Sequence, residues 1–305
     1  MSLESTIRQA RISPRAALPA QSRAINRRVY NAFATKEGKL FWQEGDEFPK
    51  HPIPVVEVLN NLEIIYNFYE EVFDHKGIDG KNSALEAVIG YSDDMANAFW
   101  DGEFLLFGNG DGEALERFTQ DLGVCAHEYN HGVVGSFKSL DYQGESGAID
   151  ESLADVFAAC CIQWLYQQTA EEASWLIGDR IWSQHLRSGT VKAVRNLLNP
   201  GSAYDNKLLG KDPQPATYQD RYQGNSDYGG VHINSGIANR AFAEAALYYG
   251  GYSWKSVGMA WWQTLPKLKP DIGFSEFAKL TKKSAASLSS KLERAVDYGW
   301  GKVGL

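Results

Sequence analysis

The sequence predicts an α+β protein of two lobes, an N-terminal α/β lobe with an antiparallel sheet and a mainly helical C-terminal lobe, with a cleft between them. The composition is that of a globular protein, since 44% of the residues are hydrophobic and 22% are charged. The chain of 305 residues is long enough for one large domain or for two lobes. Short β-prone runs occur only in the first half, whereas helical periodicity dominates the second half.

Three segments are expected along the chain. Residues 1–26 are polar, rich in Arg, Ala and Ser, and lack a sustained apolar period, which predicts an extended arm. Residues 27–143 form the N-terminal α/β lobe, and residues 144–305 form the mainly helical C-terminal lobe. No apolar stretch with a small-residue cleavage site follows Met1, so no secretory signal is visible.

One helix and a small sheet are predicted in the N-terminal lobe. Between residues 54 and 75 the apolar positions recur at spacings of three and four, which is the period of a helix with one buried face. Short β-prone runs follow at 85–91, 97–100 and 103–107, separated by Gly, Asp and Asn turns. We expect these runs to pair as an antiparallel sheet.

Two further helices are predicted in the middle of the chain. The first has an apolar stripe from which His127 and His131 are excluded, formed by Phe118, Leu122, Cys125, Tyr129 and Val133. The second covers about 149–166 and leaves Glu151 and Asp155 one turn apart on one face. From residue 173 onward the chain is expected to be mostly helical, with one long loop at 199–228.

Several classes of partner are excluded by charge and hydropathy. The net charge is −8 and the basic residues are scattered, which argues against a nucleic-acid partner. No run approaches the eighteen or so apolar residues that a membrane span needs. The three cysteines, Cys125, Cys160 and Cys161, have apolar neighbours and are expected to be buried thiols.

The segment His127-Glu-Tyr-Asn-His131 has the spacing of a metal site on a helix. Residues at i and i+4 point the same way, so both imidazoles can bind one ion while Glu128 lies beside it. This pattern is known from zinc proteases. An isolated match can also be two histidines that are solvated or hydrogen-bonded to a neighbour.

The carboxylates of the following helix complete the pattern. Catalytic zinc needs a third protein ligand, which Glu151 can supply, and an open position for water. Asp155 and Asp150 can each accept the outer N–H of a ligating imidazole. The alternative is an ordinary acidic face on an exposed helix.

At this point the sequence resembles the thermolysin family of neutral metalloproteases, from about Arg27 to the C-terminus. Four blocks agree in order and spacing: Asn97-Ala-Phe-Trp100, His127-Glu-Tyr-Asn-His131, Glu145-Ser-Gly-Ala-Ile-Asp-Glu151 continuing to Asp155, and Gly229-Gly-Val-His-Ile-Asn-Ser-Gly236. The resemblance implies the family's two-lobed fold, one catalytic zinc ion and hydrolysis of internal peptide bonds. It makes His127, His131 and Glu151 the zinc ligands, and Glu128 the base that activates a zinc-bound water.

The resemblance also implies catalytic groups outside the zinc ligands. His232 is matched to a histidine that donates to the oxyanion of the tetrahedral intermediate, with help from Tyr142. Asp227 is matched to the acid that orients this histidine. From the sequence alone, His232 would rather be interpreted as structural.

Substrate-binding residues are implied in the same way. Asn97 and Ala98 fall on an expected edge strand, where an extended peptide can add main-chain hydrogen bonds. Arg195 is matched to an arginine that binds a substrate carbonyl, although a surface salt bridge would also explain it. Val124 and Val194 would line the pocket after the scissile bond, which implies a preference for a bulky apolar residue there.

The sequence departs from the family at two acidic positions that help to hold paired calcium ions. They are Gly123 and Ile162 here, so we expect the paired calcium site to be absent, and a single calcium elsewhere stays open. The modest length and the arm before Arg27 resemble the short-propeptide, protealysin-like branch of the family. A zymogen, a propeptide or protein inhibitor as partner, and secretion follow as expectations from that branch.

Two other functions are compatible with the helix motif. An aminopeptidase would need an acidic anchor for a free amine, whereas the Asn97-Ala98 block favours an internal peptide bond. A binding protein that keeps the fold without activity has no reason to retain Glu128, Tyr142 and His232.

Overall fold

The computed structural model describes residues 25–32, 39–91 and 95–305. The predicted arm at 1–26 lies outside these residues except for its last two positions, of which Ile25 is buried ahead of the first strand. Within the described residues, a five-stranded sheet and one long helix form the N-terminal part, and helices dominate the C-terminal part. The two-lobed α+β prediction is confirmed at this level.

The N-terminal part packs its long helix, α1 (Ile53–Phe73), against the sheet. Its apolar face is fully buried at the predicted spacings, including Val55, Leu59, Leu62 and Ile65. The sheet has the order β2-β1-β3-β5-β4, and its strands are β1 (Arg27–Asn31), β2 (Lys39–Gln43), β3 (Leu85–Ile89), β4 (Ala98–Trp100) and β5 (Leu105–Phe107). Strand β4 is therefore at one edge of the described sheet, as predicted.

The sheet is mixed, so the prediction that it is antiparallel is wrong. Strands β1 and β3 pair in parallel, as do β3 and β5, whereas β2 and β4 pair antiparallel with their neighbours. Helix α1 lies between β2 and β3 in the sequence and provides the crossover that a parallel pair needs. Short β-prone runs carry no information on strand direction, because direction depends on how the connections cross the sheet.

Two packed helices form the centre of the molecule. Helix α2 (Leu122–Phe137) begins at Asp121, whose side chain accepts a hydrogen bond from the backbone N–H of Val124 at 3.0 Å. Helix α3 (Gly144–Tyr166) begins five residues before the predicted start, because its first turn is small and polar and lacks the apolar period. A Cβ at Gly147 would lie 2.5 Å from the Val231 side chain, so this turn requires glycine for close helix packing.

The segment between residues 167 and 226 is irregular, so the prediction of mostly helical structure from residue 173 is wrong. It contains one helical turn, α4 (Gln184–Arg187), and two pairs of very short strands, β6 (Leu176–Ile177) with β7 (Arg195–Asn196) and β8 (Asp205–Asn206) with β9 (Gly210–Lys211). Side chains hold the backbone here in place of a helix. Asp212 alone accepts the backbone N–H groups of Gly201, Ala203 and Gln214.

Regular helices return with α5 (Asp227–Tyr249), α6 (Val257–Trp262), α7 (Phe274–Leu288) and α8 (Ser290–Lys302). Helix α5 is interrupted at residues 228–230, where the backbone has left-handed φ and ψ angles. None of the helices in the described ranges is long and apolar enough to cross a membrane. All three cysteines are buried free thiols, as predicted.

His75 connects the two parts of the molecule through an aromatic cluster. Its ring stacks on Phe137 at the end of α2, with centroids 5.6 Å apart, and meets the edge of Trp262 at the end of α6 at 5.2 Å. Its Nε2 bonds to the carbonyl of Ile78 at 3.2 Å. Burial lowers the pKa of His75, partly offset by Ile78 and the nearby Asp79.

We expect His75 to make the fold sensitive to acid. The unfolded chain binds the histidine proton near pH 6.5 and the folded protein binds it only at lower pH, so stability falls as the pH drops through about 6.5. The unmodified protein should therefore lose stability between pH 7.5 and pH 5, whereas a His75→Phe variant lacks this contribution. The difference between their two melting temperatures should shrink as the pH falls. Calorimetry at both pH values checks this. The control is the same substitution at the exposed His185. A difference in melting temperature between His75→Phe and the unmodified protein that is the same at both pH values contradicts the prediction.

Candidate active site

Helices α2 and α3 bring His127, His131 and Glu151 to one point. One ligand atom from each of the three lies within 4.8 Å of the others. The two Nε2 atoms are 3.1 Å apart, and the Glu151 oxygens lie 3.4 Å from Nε2 of His127 and 3.6 Å from Nε2 of His131. Ligand atoms around a tetrahedral zinc ion are separated by roughly 3.3 Å. The donor set and its spacing therefore fit zinc.

The outer nitrogens of both imidazoles are held by carboxylates. Nδ1 of His127 is 2.9 Å from Asp155 Oδ1, and Nδ1 of His131 is 2.9 Å from Asp150 Oδ2. These contacts place the proton of each neutral ring on Nδ1 and leave Nε2 free to bind a metal. Asp155 is itself held by the amide of Asn239 on α5, at 2.8 Å.

Burial and charge act against each other in this cluster. Burial disfavours the imidazolium form, but Asp155 and Glu151 raise the pKa of His127 to about 10. Burial also disfavours the charged form of Glu151, yet Arg195 and the histidines hold its pKa well below the usual range. The carboxylate therefore stays ionised, as a metal ligand must.

Glu128 lies beside the three residues and next to strand β4. Its carboxylate accepts the backbone N–H of Trp100 at 3.1 Å, and the residue is only 8% exposed. Burial raises the pKa of Glu128, which brings its proton affinity closer to that needed for proton transfer near neutral pH.

A second group of polar side chains faces Glu151 from the loop before α3 and from α5. The hydroxyl of Tyr142 donates to Glu151 at 2.5 Å and lies 3.1 Å from Nε2 of His232. Asp227 binds Nδ1 of His232 at 2.5 Å and accepts its backbone N–H at 2.8 Å. His232 lines the cleft with a side chain that is 48% exposed, and its Nε2 lies 3.4 Å from Oε1 of Glu151.

Arg195 is largely buried, so it does not form the surface salt bridge that was the alternative explanation. Its guanidinium side chain is 11% exposed and donates to Glu151 at 2.9 Å and to Asp155 at 2.8 Å. It also lies 3.4 Å from Nδ1 of His127. Arg195 therefore neutralises two carboxylates of the cluster.

One cleft, with a volume of about 870 Å³, is lined by His127, Glu128, His131, Tyr142, Asp150, Glu151, Arg195 and His232. Asn97 and Ala98 both lie on its wall; Ala98 begins the edge strand, as predicted, and Asn97 comes directly before it. The side chains of Val124 and Val194 both approach Gly178. We call the part of the apolar lining that contains them the recess, and its other members are Phe118, Ile177, Ile181 and Tyr204. The predicted site residues are thus brought together in space.

Three contributors to the site were not predicted from the sequence. Asn239 holds Asp155 from a helix 84 positions away in the chain. Gln214 donates to the carbonyl of His232 at 2.8 Å and to Ser235 at 3.0 Å. The backbone N–H of Trp100 binds Glu128. Only Asn239 carried a usable signal, since it follows the predicted His232 by seven residues and so falls on the same helix face.

The two positions at which the sequence departs from the family are neighbours in space. A Cβ built on Gly123 would lie 3.3 Å from Cδ1 of Ile162 and 2.9 Å from Oδ1 of Asp121. An apolar side chain and a glycine therefore face each other at this point of helices α2 and α3.

Comparisons with known proteins agree over the whole described chain. The family model for the thermolysin metallopeptidase catalytic domain matches residues 13–135, and the model for its alpha-helical domain matches residues 138–305. Protease PrtS of Photorhabdus sp. (strain Az29) is 38% identical over 93% of this chain and 77% of its own. An extracellular metalloprotease of Pectobacterium carotovorum subsp. carotovorum is 37% identical, over 97% of this chain and 85% of its own.

A solved structure has the same architecture. The precursor of protealysin, a metalloproteinase from Serratia proteamaculans, superimposes with a TM-score of 0.88 at 36% sequence identity, covering 99% of this chain and 97% of its own. Members of the matched family hydrolyse peptide bonds and use zinc, and this chain has a two-histidine, one-glutamate group with the spacing for that metal. By sequence, fold and metal site, this chain belongs to the thermolysin family of metallopeptidases, in its protealysin-like branch.

Proposed function

We propose that this zinc endopeptidase uses His127, His131 and Glu151 as the metal ligands and Glu128 as the base. The observation that supports this best is the convergence of the three ligand atoms within 4.8 Å, with Glu128 buried beside them. When bound, zinc supplies a positive charge that polarises the scissile carbonyl and acidifies water.

The remaining chemistry comes from protein groups. Glu128 takes a proton from the attacking water as the water oxygen adds to the carbonyl carbon. Glu128 then gives that proton to the leaving amine as the C–N bond breaks. The carbonyl oxygen becomes negative in the intermediate. Tyr142 and His232 donate to it, and Asp227 keeps Nε2 of His232 directed at the cleft.

The substrate is an extended peptide that adds to the edge of strand β4. Asn97 and Ala98 supply main-chain hydrogen bonds, and Arg195 donates to a substrate carbonyl. The recess that contains Val124 and Val194 receives a bulky apolar side chain after the scissile bond. Among the described residues that line the cleft, the carboxylates are Glu128, Asp150 and Glu151 of the metal site and Asp212, which accepts backbone N–H groups, so none is left to anchor a free amine.

Further properties follow as proposals. Neither Gly123 nor Ile162 offers a side-chain oxygen at their contact, which supports the loss of the paired calcium site. The lobes divide near residue 143, where α3 begins. Names of relatives such as extracellular metalloprotease and precursor of protealysin support secretion, a zymogen, and a propeptide or protein inhibitor as partner.

A chelation experiment tests the function. The protein should cleave casein and a peptide blocked at both ends, lose this activity in a zinc chelator, and regain it on addition of zinc. Cleavage of the blocked peptide separates an endopeptidase from an aminopeptidase. A zinc-loaded protein that cleaves neither substrate would rule out the proposal.

A further inference from the structure

An exposed tyrosine at the edge of the cleft has an unfavourable backbone conformation. Tyr228 has φ 49° and ψ 39°, in the left-handed region that suits glycine or asparagine better than an aromatic residue. Its side chain is 63% exposed, so burial of the ring does not offset this strain. Backbone strain of this kind is found where a side chain has to be presented at a functional site.

The surrounding chain fixes this conformation. Gly229 and Gly230, which follow, also have positive φ angles, and a Cβ on Gly229 would lie 3.2 Å from the backbone nitrogen of Gly144. The turn is therefore pressed against the start of α3. Position 229 therefore has little room for a side chain.

The ring of Tyr228 faces the ring of Tyr142. Their centroids are 5.7 Å apart at an interplanar angle of 62°, and Tyr142 is 41% exposed. Both residues line the cleft together with His232. Two partly exposed aromatic rings thus stand next to the groups that face the reacting carbonyl.

The two rings and the apolar recess lie on opposite sides of the Glu151 carboxylate. Its Oε1 accepts a hydrogen bond from Tyr142, whose ring faces Tyr228. Its Oε2 accepts a hydrogen bond from Arg195, which follows Val194 of the recess. A peptide with one side chain in the recess therefore directs the preceding residues towards the two tyrosines.

We propose that Tyr228 is a specificity-determining residue that contacts the substrate side chain on the amino side of the scissile bond. With Tyr142 it selects a bulky apolar or aromatic residue there, because aromatic rings pair favourably edge to face. This inference rests on the proposed function, which puts the residue after the scissile bond in the Val124–Val194 recess. The competing explanation is that Tyr228 only supports the ring of Tyr142.

The test uses two blocked peptides that differ only in the residue before the scissile bond, phenylalanine or alanine. In Tyr228→Asn we expect KM for the phenylalanine peptide to rise about fivefold, while both constants for the alanine peptide stay within about twofold. Tyr228→Phe should keep the preference. The melting temperature of Tyr228→Asn should be unchanged or about 2 °C higher, because asparagine tolerates this backbone.

Tyr248→Asn is the matched control, since Tyr248 is 52% exposed on α5 and lies outside the cleft. This variant should cleave both peptides with unchanged constants. An unchanged ratio between the two peptides in Tyr228→Asn overturns the inference. An equal fall in kcat for both peptides also overturns it, because it would assign Tyr228 the support of Tyr142. If the unmodified protein cleaves neither peptide, the proposed function itself fails.

Discussion

Glu128→Gln is expected to lower kcat by on the order of 10³-fold and to leave the zinc content unchanged. Glutamine keeps an oxygen that can accept the backbone N–H of Trp100, so the local geometry should persist. It cannot take up a proton from water. Because the effect is on proton transfer and not on binding, KM should change little. Single-turnover kinetics of the purified variant measure the rate of the chemical step, and metal analysis measures its zinc content.

Glu63→Gln is the matched control for this experiment. Glu63 is similarly buried at 9% exposed and is paired with Arg27, far from the metal ligands in the N-terminal part. That variant should lose stability but keep its turnover. Activity of Glu128→Gln within tenfold of the unmodified protein would show that another group carries the proton. Loss of zinc in the variant would show that Glu128 acts through the metal site.

The residues that could be predicted from sequence are those with local spacing. His127 and His131 are one helical turn apart, and Glu151 and Asp155 repeat that spacing on the next helix, so each pair had to share a face whatever the tertiary fold. Their meeting in space depends on the packing of two helices that are consecutive in the chain. Consecutive elements are usually neighbours, which made this step predictable.

The parts that could not be predicted depend on contacts distant in sequence. Asn239 reaches Asp155 across 84 positions, and the parallel pairing of β1 with β3 depends on how α1 crosses the sheet. The segment from 167 to 226 has helix-compatible residues but is held by side chains such as Asp212, which bond the backbone directly. Tertiary hydrogen bonds there override local propensity.

The strain at Tyr228 and the buried charges around Glu151 are two forms of the same feature. In each case the surrounding structure holds an arrangement that is locally unfavourable, at residues that face one cleft. The glycines after Tyr228 and the carboxylates around the histidines are needed to maintain it. Arg195 carries the largest share of the charge balance and is the next position to test.

Arg195→Met is expected to destabilise the metal-free protein by about 3–5 kcal/mol, because it leaves the carboxylates of Glu151 and Asp155 buried without their main cation. Zinc would restore a positive charge next to Glu151, so the loss should be smaller in the zinc-loaded protein. By linkage, the variant should then bind zinc more tightly than the unmodified protein does. Melting temperatures with and without chelator, and competition for zinc with a coloured chelator, measure these effects.

Activity should change in the opposite direction from zinc affinity. If Arg195 donates to a substrate carbonyl, kcat/KM of the zinc-loaded Arg195→Met variant should fall by about 100-fold although its metal is held more firmly. Arg117→Met is the control, because Arg117 pairs with Glu57 at 2.6 Å outside the cleft and should affect neither zinc nor cleavage. Weaker zinc binding in Arg195→Met would mean that the guanidinium orients Glu151 for the metal, and that its positive charge does not compete with zinc.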